Sequence, residues 1–289
     1  MKIMVTGATG QLGSAVMREA ERCGHMAVGF SKGLDITDMT LVTQRMEEEQ
    51  PDALIHCAAW TAVDLAEIPE NKERVYAVNV EGTRNLAKAC KMIDCKMLYI
   101  STDYVFNGQG EKPWEPDNEG CKPLNVYGKS KLEGERALRE VLTQCFIVRT
   151  SWVFGENGNH FVKAMLNAGK QYKEVVVVND QIGRPTYTLD LAQLLVDMAE
   201  SEAYGCYHAS NEGEFISWAD FAKEIFAQAG YKVRVMSVST EEYRKSKAVR
   251  PLNSRLVTDK LTKQGFQLLP PWKDALRRYL QHIGEVPDI

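Results

Sequence analysis

No apolar run in this chain is long enough to cross a bilayer, and no Cys-x-x-Cys pair occurs among its seven cysteines. Its five histidines are scattered and never form a metal-ligand pair at helical spacing. The first absence argues against a membrane partner, and the third against a protein-built zinc site. Basic residues form no stripe: 35 Lys+Arg against 39 Asp+Glu leave a net charge of −4, which argues against a nucleic-acid surface. An odd number of isolated cysteines suggests buried, reduced thiols and a cytoplasmic setting. The first residues read as a folded strand rather than a signal peptide. What is present is a chain of 289 residues, 44% apolar and 26% charged, long enough for one large globular domain or two ordinary ones.

Short apolar runs alternate with helical spacings along the first half. Lys2–Thr6 stops at Gly7 like a buried strand entering a turn. Leu12, Ala15, Val16 and Ala20 then fall on one helical face before Gly24. Strands are expected at Met26–Phe30, Ala53–Cys57, Met97–Ser101 and 145–150, with helices at Met39–Glu49, Glu70–Met92 and 126–142. This alternation implies right-handed crossovers, hence an α/β fold with a Rossmann-like, doubly wound, mainly parallel sheet. The pattern loosens after residue 150, which suggests a smaller C-terminal α/β substrate domain. The expected division is 1–155 and 156–289, with elements near 186–200 and 230–240 returning to the first part. Ligands of such sheets bind beyond the carboxyl ends of the strands, so the segments that follow those ends should meet around one crevice.

Thr6-Gly7-Ala8-Thr9-Gly10-Gln11-Leu12-Gly13 lies at the first strand–helix junction. Gly7 permits the turn, Gly10 lets backbone approach a pyrophosphate, and Gly13 allows close packing of helix on sheet. The amides of Thr9, Gln11 and Leu12 lie at the helix start, where free N–H groups and the dipole favour phosphate. Phe30-Ser31-Lys32 follows the second strand without the acid that would bind the ribose of NAD. Ser31 and Lys32 suit a 2′-phosphate, which favours NADPH and leaves NADH open. Asp35 and Ile36 suit the adenine edge, and Ala58, Ala59, Trp60 and Thr61 would let a cofactor lie against backbone after the third strand.

Tyr127 and Lys131 stand four residues apart, on one face of an expected helix. A cation one turn from a phenol favours the phenolate, and so should lower a pKa of about 10. Thr102, within Ser101-Thr102-Asp103-Tyr104, follows the fourth strand and should face the nicotinamide. A ketone reduction needs a hydride, an oriented carbonyl and a proton for the forming alkoxide; Thr102, Tyr127 and Lys131 answer to that need. Lys131 and Tyr127 are also expected beside the nicotinamide ribose. Alone, a Tyr-x-x-x-Lys spacing is common, and Thr102 or Asp103 could simply cap a turn.

Thr6–Gly13, Ser101–Thr102 and Tyr127–Lys131 together resemble the extended short-chain dehydrogenase/reductase superfamily. Ala58–Asp64, Ser101–Phe106, Pro123–Gly128, Arg149–Val153, Asn179–Thr186 and Arg250–Leu256 are similar, in order along the chain, to the rhamnose-forming sugar-nucleotide reductases within it. That resemblance implies reduction of the C4 ketone of dTDP-4-dehydro-β-L-rhamnose to dTDP-β-L-rhamnose. It makes Tyr127 the proton donor, Lys131 its activator and ribose ligand, and Thr102, Asp103 and Tyr104 sugar contacts. It sets the Trp152 indole against the apolar face of the deoxysugar. Arg184 and Arg250, with Asn159-His160-Phe161, become candidates for the nucleotide and diphosphate, on charge and position alone. Some members use Mg²⁺ held by carboxylates at a homodimer contact, one of them on the first helix; Ala15 in that region argues against a metal-linked dimer here.

Other readings within reach are another sugar-nucleotide reductase or an epimerase of the same superfamily, and a non-catalytic NADP-binding regulatory subunit like that of methionine adenosyltransferase. The joint presence of Thr102, Tyr127 and Lys131 weighs against a binding-only protein. Asn107–Pro123, rich in Gly and Pro beside the catalytic strand, is expected as a lid.

Overall fold

The computed structural model describes residues 1–118, 120–243 and 246–286. Six parallel strands form the central sheet: β1 (Lys2–Thr6), β2 (Met26–Phe30), β3 (Ala53–His56), β4 (Lys96–Thr102), β5 (Cys145–Thr150) and β6 (Gly205–His208). Their order across the sheet is β2-β1-β3-β4-β5-β6. The order reverses between β1 and β3, and a crevice opens at their carboxyl ends. Side chains alternate across the sheet, so Ile3, Val5, Phe146 and Val148 enter one core and Met4, Met97, Tyr99 and Ile147 the other. Helix Thr188–Ala199 covers the first face beside helix Gly13–Arg22. Among the described residues no helix is long and apolar enough to cross a membrane.

Part of the chain after residue 150 packs apart from this sheet, around cores of its own. Its two-stranded parallel sheet pairs Glu174–Val178 with Arg234–Val238, and helices Phe161–Gln171 and Trp218–Gln228 pack on each other beside it. The expectation that 230–240 returns to the first sheet is therefore corrected. Arg234–Val238 finds its partner in this later part, where Val175, Val177, Val233 and Val235 share a small core with Phe226. Residues 188–208, by contrast, do cross to the first sheet as helix and sixth strand.

The sequence pattern predicts one helix over Glu70–Met92. It runs as Pro69–Tyr76 and Thr83–Met92 joined by a wide π-type turn, Ala77–Gly82. The expected lid, Asn107–Pro123, is pinned rather than free, and Glu119 within it lies outside the described residues. Trp114 stacks on Phe106 with centroids 4.6 Å apart, donates its indole N–H to the Asn253 carbonyl, and exchanges backbone hydrogen bonds with Arg255 and Val257.

Candidate active site

A single cleft of about 790 Å³ follows the carboxyl ends of β1 to β5. At its floor Gly7 adopts φ 67°, and a Cβ there would come within 2.8 Å of the Ala58 backbone. A Cβ on Gly13 would reach 2.2 Å from the Gly7 carbonyl. Only glycines allow this packing of turn, third strand and helix, and the cradle so formed fits a pyrophosphate lying against backbone amides. Ser31 accepts hydrogen bonds from the Thr9 amide and hydroxyl, both at 3.0 Å. Asp35 is tied to Thr37, whose hydroxyl donates at 2.7 Å, and this holds its carboxyl below the ordinary value.

The helix that carries Tyr127 and Lys131, Val126–Val141, is positioned at its first turn. Asn125 caps it by accepting from the Gly128 amide at 2.7 Å, and Glu67 accepts from the Val126 amide at 2.7 Å. A Cβ on Gly128 would lie 2.2 Å from the Tyr104 carbonyl, so helix and β4 terminus touch at this point. Tyr127 thereby meets the Tyr104 ring edge-on at 5.8 Å. One turn later Lys131 is buried, its ammonium 3.9 Å from the centroid of the Tyr99 ring. Another turn on, Glu135 accepts from the Ser101 hydroxyl and from two nitrogens of Arg149, at 2.8 and 2.6 Å. Ser101 and Arg149 are register partners on β4 and β5, so this buried triad clamps the helix of Tyr127 and Lys131 onto β4 and β5.

The electrostatics correct one expectation. Burial pushes the Tyr127 phenol above its ordinary value, with a hydrogen bond to Thr102 pulling the other way. Burial also draws Lys131 down to about 7, against the pull of Glu135 and Cys57. Burial is the largest influence on each, and at Tyr127 it favours the protonated phenol. Thr102 accepts from the Tyr104 amide at 3.2 Å and donates to Asp103 at 3.1 Å. Burial raises the Asp103 carboxyl to about 6, although Ser254 and Thr102 donate to it.

Gly7, Thr9, Gly10, Gln11, Leu12, Phe30, Ser31, Lys32, Asp35, Ile36, Ala58, Ala59 and Thr61 all line this cleft. So do Thr102, Asp103, Tyr104, Tyr127, Lys131, Trp152, Asn159 and Arg250. Four residues singled out in the sequence do not. Trp60 has its backbone fixed by Asn79 and its indole turned back to donate to the Ala62 carbonyl. Arg184 is buried elsewhere, spending its guanidinium on Glu212, Thr258 and the carbonyls of Gly213 and Leu256. His160 and Phe161 also stand back from the cleft, the first as the cap of helix Phe161–Gln171. Local sequence gives little sign of Trp218, which lines the cleft and stacks on Trp152, or of the buried Glu135–Arg149 pair. Glu135 had one available signal, its spacing of four from Lys131.

Among the described residues no group of three or more His, Cys, Asp or Glu side chains is placed to hold a metal ion. Ala15, where the resemblance would set a carboxylate, is packed in the core at 1% exposure.

A parallel sheet with a glycine turn at its first strand, facing a Tyr-x-x-x-Lys helix across a threonine, defines an extended short-chain dehydrogenase/reductase. Within that class the chain belongs to the RmlD substrate binding domain family, whose model matches residues 1–285. It is 38% identical to the spore coat polysaccharide biosynthesis protein SpsK of Bacillus subtilis, over 99% of both chains. It is 39% identical to the dTDP-4-dehydrorhamnose reductase of Aggregatibacter actinomycetemcomitans, over 96% of this chain and 97% of that one. The crystal structure of dTDP-4-dehydrorhamnose reductase from Bacillus anthracis in complex with NADP is similar at a TM-score of 0.93 and 41% identity, covering 97% of this chain and 99% of the other.

Proposed function

We propose that this chain reduces the C4 ketone of dTDP-4-dehydro-β-L-rhamnose to dTDP-β-L-rhamnose, with NADPH as reductant. The observation that carries the reading is that Thr102, Tyr127 and Lys131 reach the same cleft as the Gly7–Leu12 turn, in a member of this reductase family. NADPH, when bound, supplies the hydride. Tyr127 holds the proton that the C4 oxygen takes, and its burial keeps that proton in place until charge develops on the oxygen. The Thr102 hydroxyl, turned from Asp103, donates to the same oxygen and draws charge from C4. Lys131 stabilises the tyrosinate left behind, which regains its proton from solvent. C4 gains the hydride, the oxygen gains the phenolic proton, and no other bond changes.

Asp103, Tyr104 and Trp152 surround the sugar in this reading, and Arg250 offers its planar fork to the diphosphate. Ser31 and Lys32 receive the 2′-phosphate. Purified protein should oxidise NADPH only when given the 4-keto sugar nucleotide; no turnover with freshly made substrate overturns the assignment. Tyr127→Phe should lower kcat by about 10²–10⁴-fold with NADPH affinity retained. A homodimer and a cytoplasmic location are part of the same proposal. The first predicts a particle of twice 32.5 kDa in sedimentation, and the second is read by cell fractionation.

A further inference from the structure

Asp64 sits in the short helix Val63–Ala66 that follows β3, outside the cleft lining. Four donors from residues 246–250 converge on its carboxylate. Oδ1 accepts from the Ser246 hydroxyl at 2.9 Å and from the Lys247 and Ala248 amides at 2.9 and 3.0 Å. Oδ2 accepts from Arg250 Nη2 at 2.8 Å. Arg250 Nε in turn donates to the Ser246 hydroxyl at 3.0 Å, and Nη1 to the Tyr104 hydroxyl at 3.0 Å. Of these groups Arg250 and Tyr104 line the cleft.

The Asp64 and Arg250 side chains are 40% and 30% exposed, and ion pairs so open to water add little to stability. The convergence has a different effect. A guanidinium has five N–H groups in a rigid fork. Fixing one each through Ser246, Tyr104 and Asp64 sets the plane of that fork and leaves two for a ligand. The strap that carries Arg250 continues to Ser254, which donates to Asp103 at the end of β4. Asp64 thus holds the near end of a segment whose far end touches the catalytic strand.

We propose that Asp64 is a positioning residue that sets the aim of Arg250 into the cleft, and through it the affinity for a nucleoside diphosphate-sugar. This rests on the sugar-nucleotide reading above. In steady-state kinetics, Asp64→Asn should raise KM for the sugar nucleotide about tenfold while kcat and KM for NADPH stay within about twofold. Arg250→Gln should do the same, and the double variant should be no worse than Arg250→Gln alone, because both act through one guanidinium. Ser246→Ala, which removes the hydroxyl shared by Asp64 and Arg250, gives a milder version should Asp64→Asn fail to fold. An unchanged sugar-nucleotide KM, a parallel change in both KM values, or additive effects in the double variant would each overturn the inference. A wild-type protein that turns over nothing would instead remove the functional reading. Asp64 would then be tested by calorimetric titration with dTDP, where Asp64→Asn should bind about tenfold more weakly and equal affinity would refute its role.

Discussion

The indoles of Trp152 and Trp218 stack with centroids 3.8 Å apart and planes inclined by 17°. Trp152 reaches this position through a left-handed backbone, φ 50°, which for a bulky residue costs about 1–3 kcal/mol. Phe161 packs on Trp218 at 4.5 Å, so the second indole is itself held from behind. Trp218→Ala should free Trp152 to leave the wall of the cleft. We expect KM for the sugar nucleotide to rise several-fold, KM for NADPH to stay unchanged, and the near-ultraviolet circular dichroism of the paired indoles to collapse. Loss of the spectral signal without a kinetic effect would reduce the stack to packing.

Lys131 titrates near neutrality because burial draws its ammonium down to about 7. kcat/KM for NADPH reports the groups of the free enzyme. It should therefore fall as pH rises through about 7, where the ammonium loses its proton. Lys131→Arg carries a guanidinium that does not deprotonate, so whatever activity remains should lack that limb. A limb that persists in this variant belongs to another group.

Asp103 works against stability at neutral pH. Its carboxyl is raised from an ordinary 3.8 to about 6 in the folded protein, because burial disfavours the charge. The folded state thus binds this proton more tightly than the unfolded chain, and stability falls as pH rises from 3.8 to about 6, with the full penalty above. Asp103→Asn should raise Tm at pH 8 and change it little near pH 4, while impairing turnover. An equal Tm shift at both pH values would show that the carboxyl proton is not involved.

Arg149 and Glu135 are 3% and 1% exposed, so removing Arg149 leaves Glu135 buried without its bidentate partner, with only the Lys131 ammonium one turn away to oppose its charge. Arg149→Met should cost about 3–5 kcal/mol in urea unfolding, and adding Glu135→Leu should restore most of it. No recovery in the double variant would mean that the Ser101 and Pro116 contacts, rather than the charge pair, hold the helix to the strand.

Strands Lys2–Thr6 and Cys145–Thr150 are legible in the sequence because buried parallel strands read as near-continuous apolar runs, and the edge strand Met26–Phe30, though only half-buried, is apolar enough to read alike. Gly7–Leu12, Thr102 and Tyr127 are legible as a group because each follows or faces a strand end. The part after residue 150 is harder to read. Glu174–Val178 and Arg234–Val238 are recognisable as strands, yet periodicity does not say which partner each will take. The π-type turn at Ala77–Gly82 inserts into a helical pattern without disturbing its apolar spacing enough to reveal itself. Arg184 and Arg250 carry the same charge in similar motifs, and only packing tells that the first is spent on Glu212 while the second reaches the cleft. Asp64 and Trp218 acquire their significance from segments far away in the chain, and local pattern is silent about those.

The sixth strand, Gly205–His208, bears on how the protein is made. β5 has every side chain buried in the finished sheet, but the strand that covers its outer edge is not synthesised until residue 208. In the interval the growing chain carries an unpaired, apolar parallel edge, the kind of surface that recruits strands from other chains. The boundary at residue 155 that looks natural in the sequence is thus the wrong place to cut. A fragment ending there should aggregate on expression, as light scattering would report, because its last strand was built to be interior.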